Sequence, residues 1–213
     1  MLRKKMTLAC LGFVVVFIMI ATIGFVAAAI GIPDGLEEAN AVSDGREPGT
    51  SLNPYLISTK EELEQFRDIV NGLNGQTKNW DVCARLINDI DLKGNDDDQW
   101  IPIGNPYYNG VFDGNGYTIR GLWINVSDSN KNNKALINTT YGMNAVIKDL
   151  TVEGTVSAYS NAAGIVAENS GSVTGCVNKA TVKNGGYSVG GIVGRNMGGD
   201  VTDCVNEGSV NGF

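Results

Sequence analysis

The sequence predicts an all-β chain: a right-handed parallel β-helix (solenoid) with one N-terminal capping α-helix, preceded by a hydrophobic leader or transmembrane helix. Three observations predict it. The first is an internal repeat. Ala163-Gly164-Ile165-Val166-Ala167-Glu168-Asn169, Val173-Thr174-Gly175-Cys176-Val177-Asn178 and Ala180-Thr181-Val182 recur as Gly190-Gly191-Ile192-Val193-Gly194-Arg195-Asn196, Val201-Thr202-Asp203-Cys204-Val205-Asn206 and Gly208-Ser209-Val210. The offset is 191 − 164 = 27 residues at the start and 204 − 176 = 28 after one insertion. The second is the make-up of the unit. Its three short runs are rich in Val, Ile and Thr, and each is followed by Gly, Asn, Ser or Asp. That pattern reads strand, turn, strand, turn, strand, with no room for a helix. The third is the period, which is too short for a four-stranded propeller blade of about 40–50 residues. In a solenoid each strand pairs with its equivalent one coil away, at about 4.8 Å. Ile165 is then expected on Ile192, Asn169 on Asn196, Cys176 on Cys204 and Val182 on Val210.

At these residues the chain resembles the GLUG-motif repeat proteins of the bacterial cell surface. That family's repeats also resemble those beside the N-terminal region of secreted immunoglobulin A-specific metallopeptidases. The resemblance implies an extracellular, repetitive protein without catalytic residues in its repeats. It covers roughly residues 49–213, most clearly from Asn88 onward.

Composition is consistent with this fold. The chain has 213 residues, of which 28 are Gly and 18% are charged. Low charge with plentiful β-branched residues suits tight turns rather than disorder. The net charge is −7. Without residues 1–41 the balance is 13 basic against 20 acidic, again −7. An acidic surface argues against nucleic acid as a partner. There is no His, so the commonest acid–base catalyst and metal ligand is missing.

Taken in order, residues 1–41 form a signal peptide or signal anchor. Arg3, Lys4 and Lys5 precede an uncharged apolar run from Met6 to Ile32, long enough to span a bilayer. Two readings stay open. Ala39-Asn40-Ala41, or the earlier Ala27-Ala28-Ala29, has the small-residue form of a cleavage site. Otherwise residues 6–32 hold the chain in the membrane with the basic end inside. Both readings export residues 42–213. Cys10 lies too early for a lipid-attachment site. Residues 42–54 are a linker, and 55–80 hold a first strand, Tyr55-Leu56-Ile57, and the capping helix. Ser58 with Glu61, or Thr59 with Glu62 one residue later, forms a capping box. Leu63, Phe66, Val70 and Leu73 share one face, and Gly72 or Gly75 stops the helix. The helix is expected to hide the open apolar end of the first coil.

Residues 81–213 are then the parallel β-helix, with repeats at about 163–182 and 190–210. Val82, Ala84 and Leu86 alternate, and Ile87-Asn88-Asp89-Ile90-Asp91-Leu92 resembles the family's first strand. Gly110 to Leu122 carries Phe112-Asp113-Gly114-Asn115-Gly116, whose glycines supply φ > 0 for a tight turn between strands. It is not a phosphate loop, because no Lys-Ser/Thr follows. Leu136-Ile137 begins a degenerate copy, and Leu150 stands where Cys176 and Cys204 stand. That alignment makes stacked free thiols the first choice for the pair, although their spacing is also within disulfide reach.

No residue is assigned a catalytic, cofactor-binding or metal-binding role. Asn95-Asp96-Asp97-Asp98 offers clustered oxygens, but the calcium-loop spacing is absent, and a solvated turn is the plainer reading of Asp96 to Asp98. A zinc-peptidase motif needs His. The charged residues of the clear repeats do not recur as a paired set of carboxylates. The expected function is a non-catalytic, extracellular repeat region serving as stalk or adhesive surface. The alternatives are a polysaccharide-processing β-helix and the accessory region of a larger secreted metallopeptidase. Expected partners are host or cell-envelope glycans or proteins, and the membrane through residues 6–32. Because the second clear repeat closes at Val210, the repeats are expected to continue past Phe213. The unpaired last coil is expected to drive self-association.

Overall fold

The computed structural model describes residues 47–126, 133–184 and 186–212. The leader and both cleavage candidates lie outside them. Among the described residues no helix is long and apolar enough to cross a membrane.

Among the described residues sixteen short strands and one helix follow one another: β1 (Tyr55–Ile57), α1 (Lys60–Asn71), β2 (Ala84–Leu86), β3 (Ile90–Asp91), β4 (Val111–Asp113), β5 (Thr118–Asn125), β6 (Ile137–Thr140), β7 (Val146–Lys148), β8 (Thr151–Ala158), β9 (Val166–Asn169), β10 (Ser172–Thr174), β11 (Val177–Asn178), β12 (Thr181–Asn184), β13 (Val193–Asn196), β14 (Asp200–Thr202), β15 (Val205–Asn206) and β16 (Val210–Asn211). They form a parallel β-solenoid of about five turns with three faces. The first face is β1-β2-β4-β7-β10-β14, the second runs from β3 through β5, β8 and β11/β12 to β15/β16, and the third is β6-β9-β13. Every pairing between these strands is parallel.

The repeat register falls where the sequence puts it. Asn169 pairs with Asn196 and Val182 with Val210. The pairing of Val177 with Val205 and with Thr151 sets Cys176 on Cys204 and on Leu150. Gly175, at φ +62°, turns the run Val173–Asn178 around a corner, so it serves two faces rather than one. Asn115 and Gly116, at φ +52° and +81°, do the same between β4 and β5. That turn is a solenoid corner rather than a hairpin, because both flanking strands pair with neighbouring coils.

Inward Ile, Leu, Val and Phe side chains make one continuous core from Tyr55 to Val182. Asparagines form columns beside it. Asn178, fully buried, donates from Nδ2 to Asn206 Oδ1 at 2.7 Å and to the Ala180 carbonyl at 3.1 Å, and its Oδ1 accepts from Ala180 N–H. A Cβ on Gly164 would collide with Asn178 Oδ1, and one on Gly191 with Asn206 Oδ1. The glycines of the repeat are therefore the space into which its own asparagines fold.

Helix α1 closes the N-terminal end. Thr59 is its N-cap, with Glu62 completing the box, so the later of the two candidate boxes is used. Gly72 ends it in a left-handed conformation at φ +69°. Leu63, Phe66, Ile69 and Val70 are buried, whereas Leu73 lies past the helix end and is half-buried. The Phe66 ring sits among Tyr55, Tyr108 and Phe112, with centroids 6.3, 6.0 and 5.9 Å away. Asn71 Nδ2 donates to Pro102 O, and Asn71 Oδ1 accepts from Gly104 and Asn105 N–H, each at 2.9 Å. These backbone groups flank Ile103, which bridges to Ile137 of the next coil. One amide thus meets groups that another strand would otherwise pair.

The last coil is open where the preceding one is closed. Val173 and Val182 are fully buried, but Val201 and Val210 are 40% and 38% exposed. Ile165 is buried while Ile192 is only partly so. The repeat alignment, which gives Ile192 the same place as Ile165, also predicts that Ile192 is buried between coils, and the structure corrects this. Its stacking partner is as expected, but among the described residues no strand lies beyond it.

Candidate functional sites

Four features were candidates for chemistry. One, a cluster of three charges, is on the first face. Asp113 on β4 accepts from Arg85 Nε and Nη2 at 3.0 and 2.8 Å, and Lys148 Nζ lies at 2.9 Å. Arg85, Asp113 and Lys148 sit on β2, β4 and β7, three successive coils in register. Burial alone would push the Asp113 carboxyl up. Hydrogen bonds from Lys148, Arg85 and Asn115 N–H outweigh it and hold the group below the usual carboxylate range. An ionised carboxylate clasped from both sides is a staple between strands, not a proton donor. Arg195–Glu168 and Lys179–Glu207 likewise join equivalent positions of adjacent coils, and Arg120–Asp89 joins adjacent coils two residues out of register.

The acidic loop is organised by its own contacts. Asn95 Oδ1 accepts from the N–H groups of Asp97 and Asp98. Asp96 Oδ1 accepts from Trp123 Nε1 at 3.1 Å and Asn125 Nδ2 at 3.0 Å, and these bonds lower its carboxyl pKa. Asp98 pairs with Lys60 of α1. Among the described residues no group of three His, Cys, Asp or Glu side chains is placed to hold a metal ion. A shallow surface dent lies beside this loop, lined by Lys60, Asp98, Gln99, Trp100 and Trp123 among others.

Cys83, Cys176 and Cys204 are free thiols. Cys176 is buried between Leu150 and Cys204, and burial pushes its thiol up to about 12. A thiol held protonated in this way is a poor nucleophile.

The fourth feature was not anticipated. Trp80, Tyr107 and Tyr141 stack at the corner between the third and first faces. Ring centroids are 4.6 Å apart for Trp80–Tyr107 and 5.0 Å for Tyr107–Tyr141, with interplanar angles of 37° and 34°. The first spacing in sequence, 107 − 80 = 27 residues, equals the repeat period and was the available signal. The second is 141 − 107 = 34, longer than the repeat period, which hides the column; Tyr108 bridges to Thr140, so Tyr141 stands two residues beyond the position level with Tyr107. The column Arg85–Asp113 repeats at 28 residues and was hidden for a different reason: neither residue falls in the two clear repeats.

Against this geometry, residues 185–211 match the model of the GLUG motif. A protein of Evansella cellulosilytica, provisionally named a Gly-rich membrane protein, is 30% identical over 218 residues, spanning 84% of this chain and 24% of that protein. Halomucin of Haloquadratum walsbyi is 29% identical over 168 residues, 74% of this chain and 2% of halomucin. The chain therefore spans a quarter or less of the length of these relatives. The crystal structure of a protein of Bacteroides ovatus, provisionally named an immunoglobulin A1 protease, superposes with a TM-score of 0.53 at 20% identity. That match covers 77% of this chain and 60% of the other. At this identity the likeness is one of fold alone.

Proposed function

We propose that residues 42–213 are a non-catalytic, extracellular β-solenoid region of a cell-surface protein, serving as stalk and adhesive surface. The observation that carries this reading is the cross-coil pairing of charge. Arg85–Asp113–Lys148, Arg120–Asp89, Arg195–Glu168 and Lys179–Glu207 each bind one coil to the next. Side chains spent on neighbouring coils stiffen a rod and leave little for a reaction. The relatives support the same reading, since one is named a Gly-rich membrane protein and another halomucin. The basic, apolar start of the chain supports export.

The test is to express the full chain in a bacterium with an epitope after Phe213, then probe intact cells with antibody and external protease. Labelling and protease-sensitivity on intact cells are expected. A product confined to the cytoplasm would overturn the reading.

A further inference from the structure

The stacked rings at one corner of the solenoid have no role in the core. Trp80 and Tyr107 are half-buried and Tyr141 is 60% exposed. Tyr107 has a ring on each side, so the outer face of Tyr141 is the free end of the stack. What would cover that face is set by the register. Tyr141 N–H bonds to Tyr108 O, Ser170 N–H to Thr140 O and Met197 N–H to Asn169 O. The same corner therefore carries Tyr141, Ser170 and Met197 on three successive coils. The coil next to Tyr141 offers only a serine, and the coil after that a half-exposed methionine.

By side-chain size the corner therefore reads as a notch: an aromatic ring on one coil, a small hydroxyl on the next and a thioether on the one after. Its backbone walls are two coil spacings apart, about 10 Å. That leaves room for one six-membered ring lying on Tyr141. Met143, 96% exposed, stands beside it. The flanking polar groups are amides, the bound carboxylate of Asp81, Lys78, whose Nζ donates to Asn105 O, and the paired Glu168 and Arg195 in the register column of Tyr107. Asn109 Nδ2 donates to Asp81 Oδ1 at 2.6 Å, and Asn79, Asn105 and Asn144 are exposed along the same corner.

We infer that this corner is a binding site for a neutral glycan, with one sugar ring stacked on the outer face of Tyr141. The chemistry of the notch selects that ligand over others. Sugars present axial C–H groups on one face and hydroxyls at the edge. They therefore match a wall of aromatic face rimmed by amide and hydroxyl groups. Tyr and Trp hold such a surface at small entropic cost. A net charge of −7 opposes acidic polysaccharides. The stack also braces the wall, because Tyr107 and Trp80 back Tyr141 on its inner side.

This inference rests on the adhesive-surface reading and names the ligand class and the site. It is tested on the full chain in a non-glycosidic detergent, by affinity electrophoresis through gels containing β-glucan, xylan, mannan or chitin oligomers, with alginate as the acidic comparison. Retardation in at least one neutral gel is expected. It should weaken at least about tenfold in Tyr141→Ala, as for an aromatic anchor. It should persist in Tyr141→Trp, and in Tyr187→Ala, which removes an exposed tyrosine elsewhere. No retardation in any neutral gel, retardation in alginate alone, or retardation indifferent to Tyr141→Ala would overturn the inference. If the chain reaches the cell surface but binds no neutral glycan, only the ligand assignment falls. If it binds but stays inside the cell, only the export reading falls.

Discussion

Asn169 shows how much one side chain holds here. It is fully buried. Its Oδ1 accepts from Thr140 Oγ1 at 2.6 Å and Gly171 N–H at 3.1 Å, and its Nδ2 donates to Asn196 Oδ1 at 3.1 Å. Its Nδ2 also donates to Asp200 O at 3.4 Å, so removing the amide takes bonds from four residues, three of them in other coils. Leaving buried polar groups unpaired costs about 1–3 kcal/mol, so Asn169→Ala is expected to lose about 2–3 kcal/mol in a denaturant melt. Asn211→Ala, at an exposed position, should change little, and equal losses would contradict the column. Asp113 carries the pH dependence. Its folded-state pKa is depressed, so its contribution is complete above the unfolded value near 3.9 and fades as pH falls through the lower folded value. Arg85 is half-exposed and Lys148 a third exposed, which screens the pairs. Asp113→Asn is therefore expected to cost about 1–2 kcal/mol at pH 7 and progressively less below about pH 4. Melts across pH 2–7 check it, and a gap that widens in acid would contradict the assignment.

At the scale of the element, α1 and the paired Ile–Val strands respond differently to truncation. Phe66 joins α1 to three rings of the first coils. Phe66→Ala is expected to cost about 3–5 kcal/mol, against about 1 kcal/mol for Thr59→Ala, which removes only the cap. Hydrogen exchange should show amides near Ile103 opening first in Phe66→Ala, because Asn71 leaves with the helix. Ile165 lies between two coils and Ile192 borders the open one. Ile165→Ala is expected to cost about 2–5 kcal/mol by the large-to-small rule, and Ile192→Ala clearly less. Equal losses would mean that Ile192 is covered after all.

At the scale of the whole molecule, the two ends of the solenoid are unlike. Helix α1 and Asn71 occupy one. At the other, Val201, Val205 and Val210 are 40%, 50% and 38% exposed, and among the described residues no strand pairs with the outer edges of β13 to β16. Exposed parallel edges recruit further strands, whether a following coil or another molecule. Residues 42–213 on their own are expected to self-associate. Val201→Lys with Val210→Lys should shift them toward monomer, as read by size-exclusion chromatography with light scattering. A clean monomer at high concentration for the unaltered segment would show that this edge is protected.

The sequence by itself determined the fold class and the register, and narrowed each helix cap to two candidates. All three are local or periodic. Val-Ile-Thr runs spaced at 27–28 residues can bury their apolar sides only by stacking, and the Thr59–Glu62 box and Gly72 act within one or two turns of α1. It also placed Leu150 over Cys176, since equivalent positions in a solenoid share an environment. The tertiary structure alone decided what depends on corners and coil lengths. A column such as Trp80–Tyr107–Tyr141 exists only once turns of unequal length have been stacked: the bridge of Tyr108 to Thr140 sets Tyr107 beside Thr139, and Tyr141 meets its ring from two residues further on. Arg85, Asp113 and Lys148 are 28 and 35 residues apart, and only the pairing of β2, β4 and β7 makes them one cluster. Ile192 reads like Ile165 in sequence, yet its burial depends on whether a strand lies beyond it, and no local pattern states that.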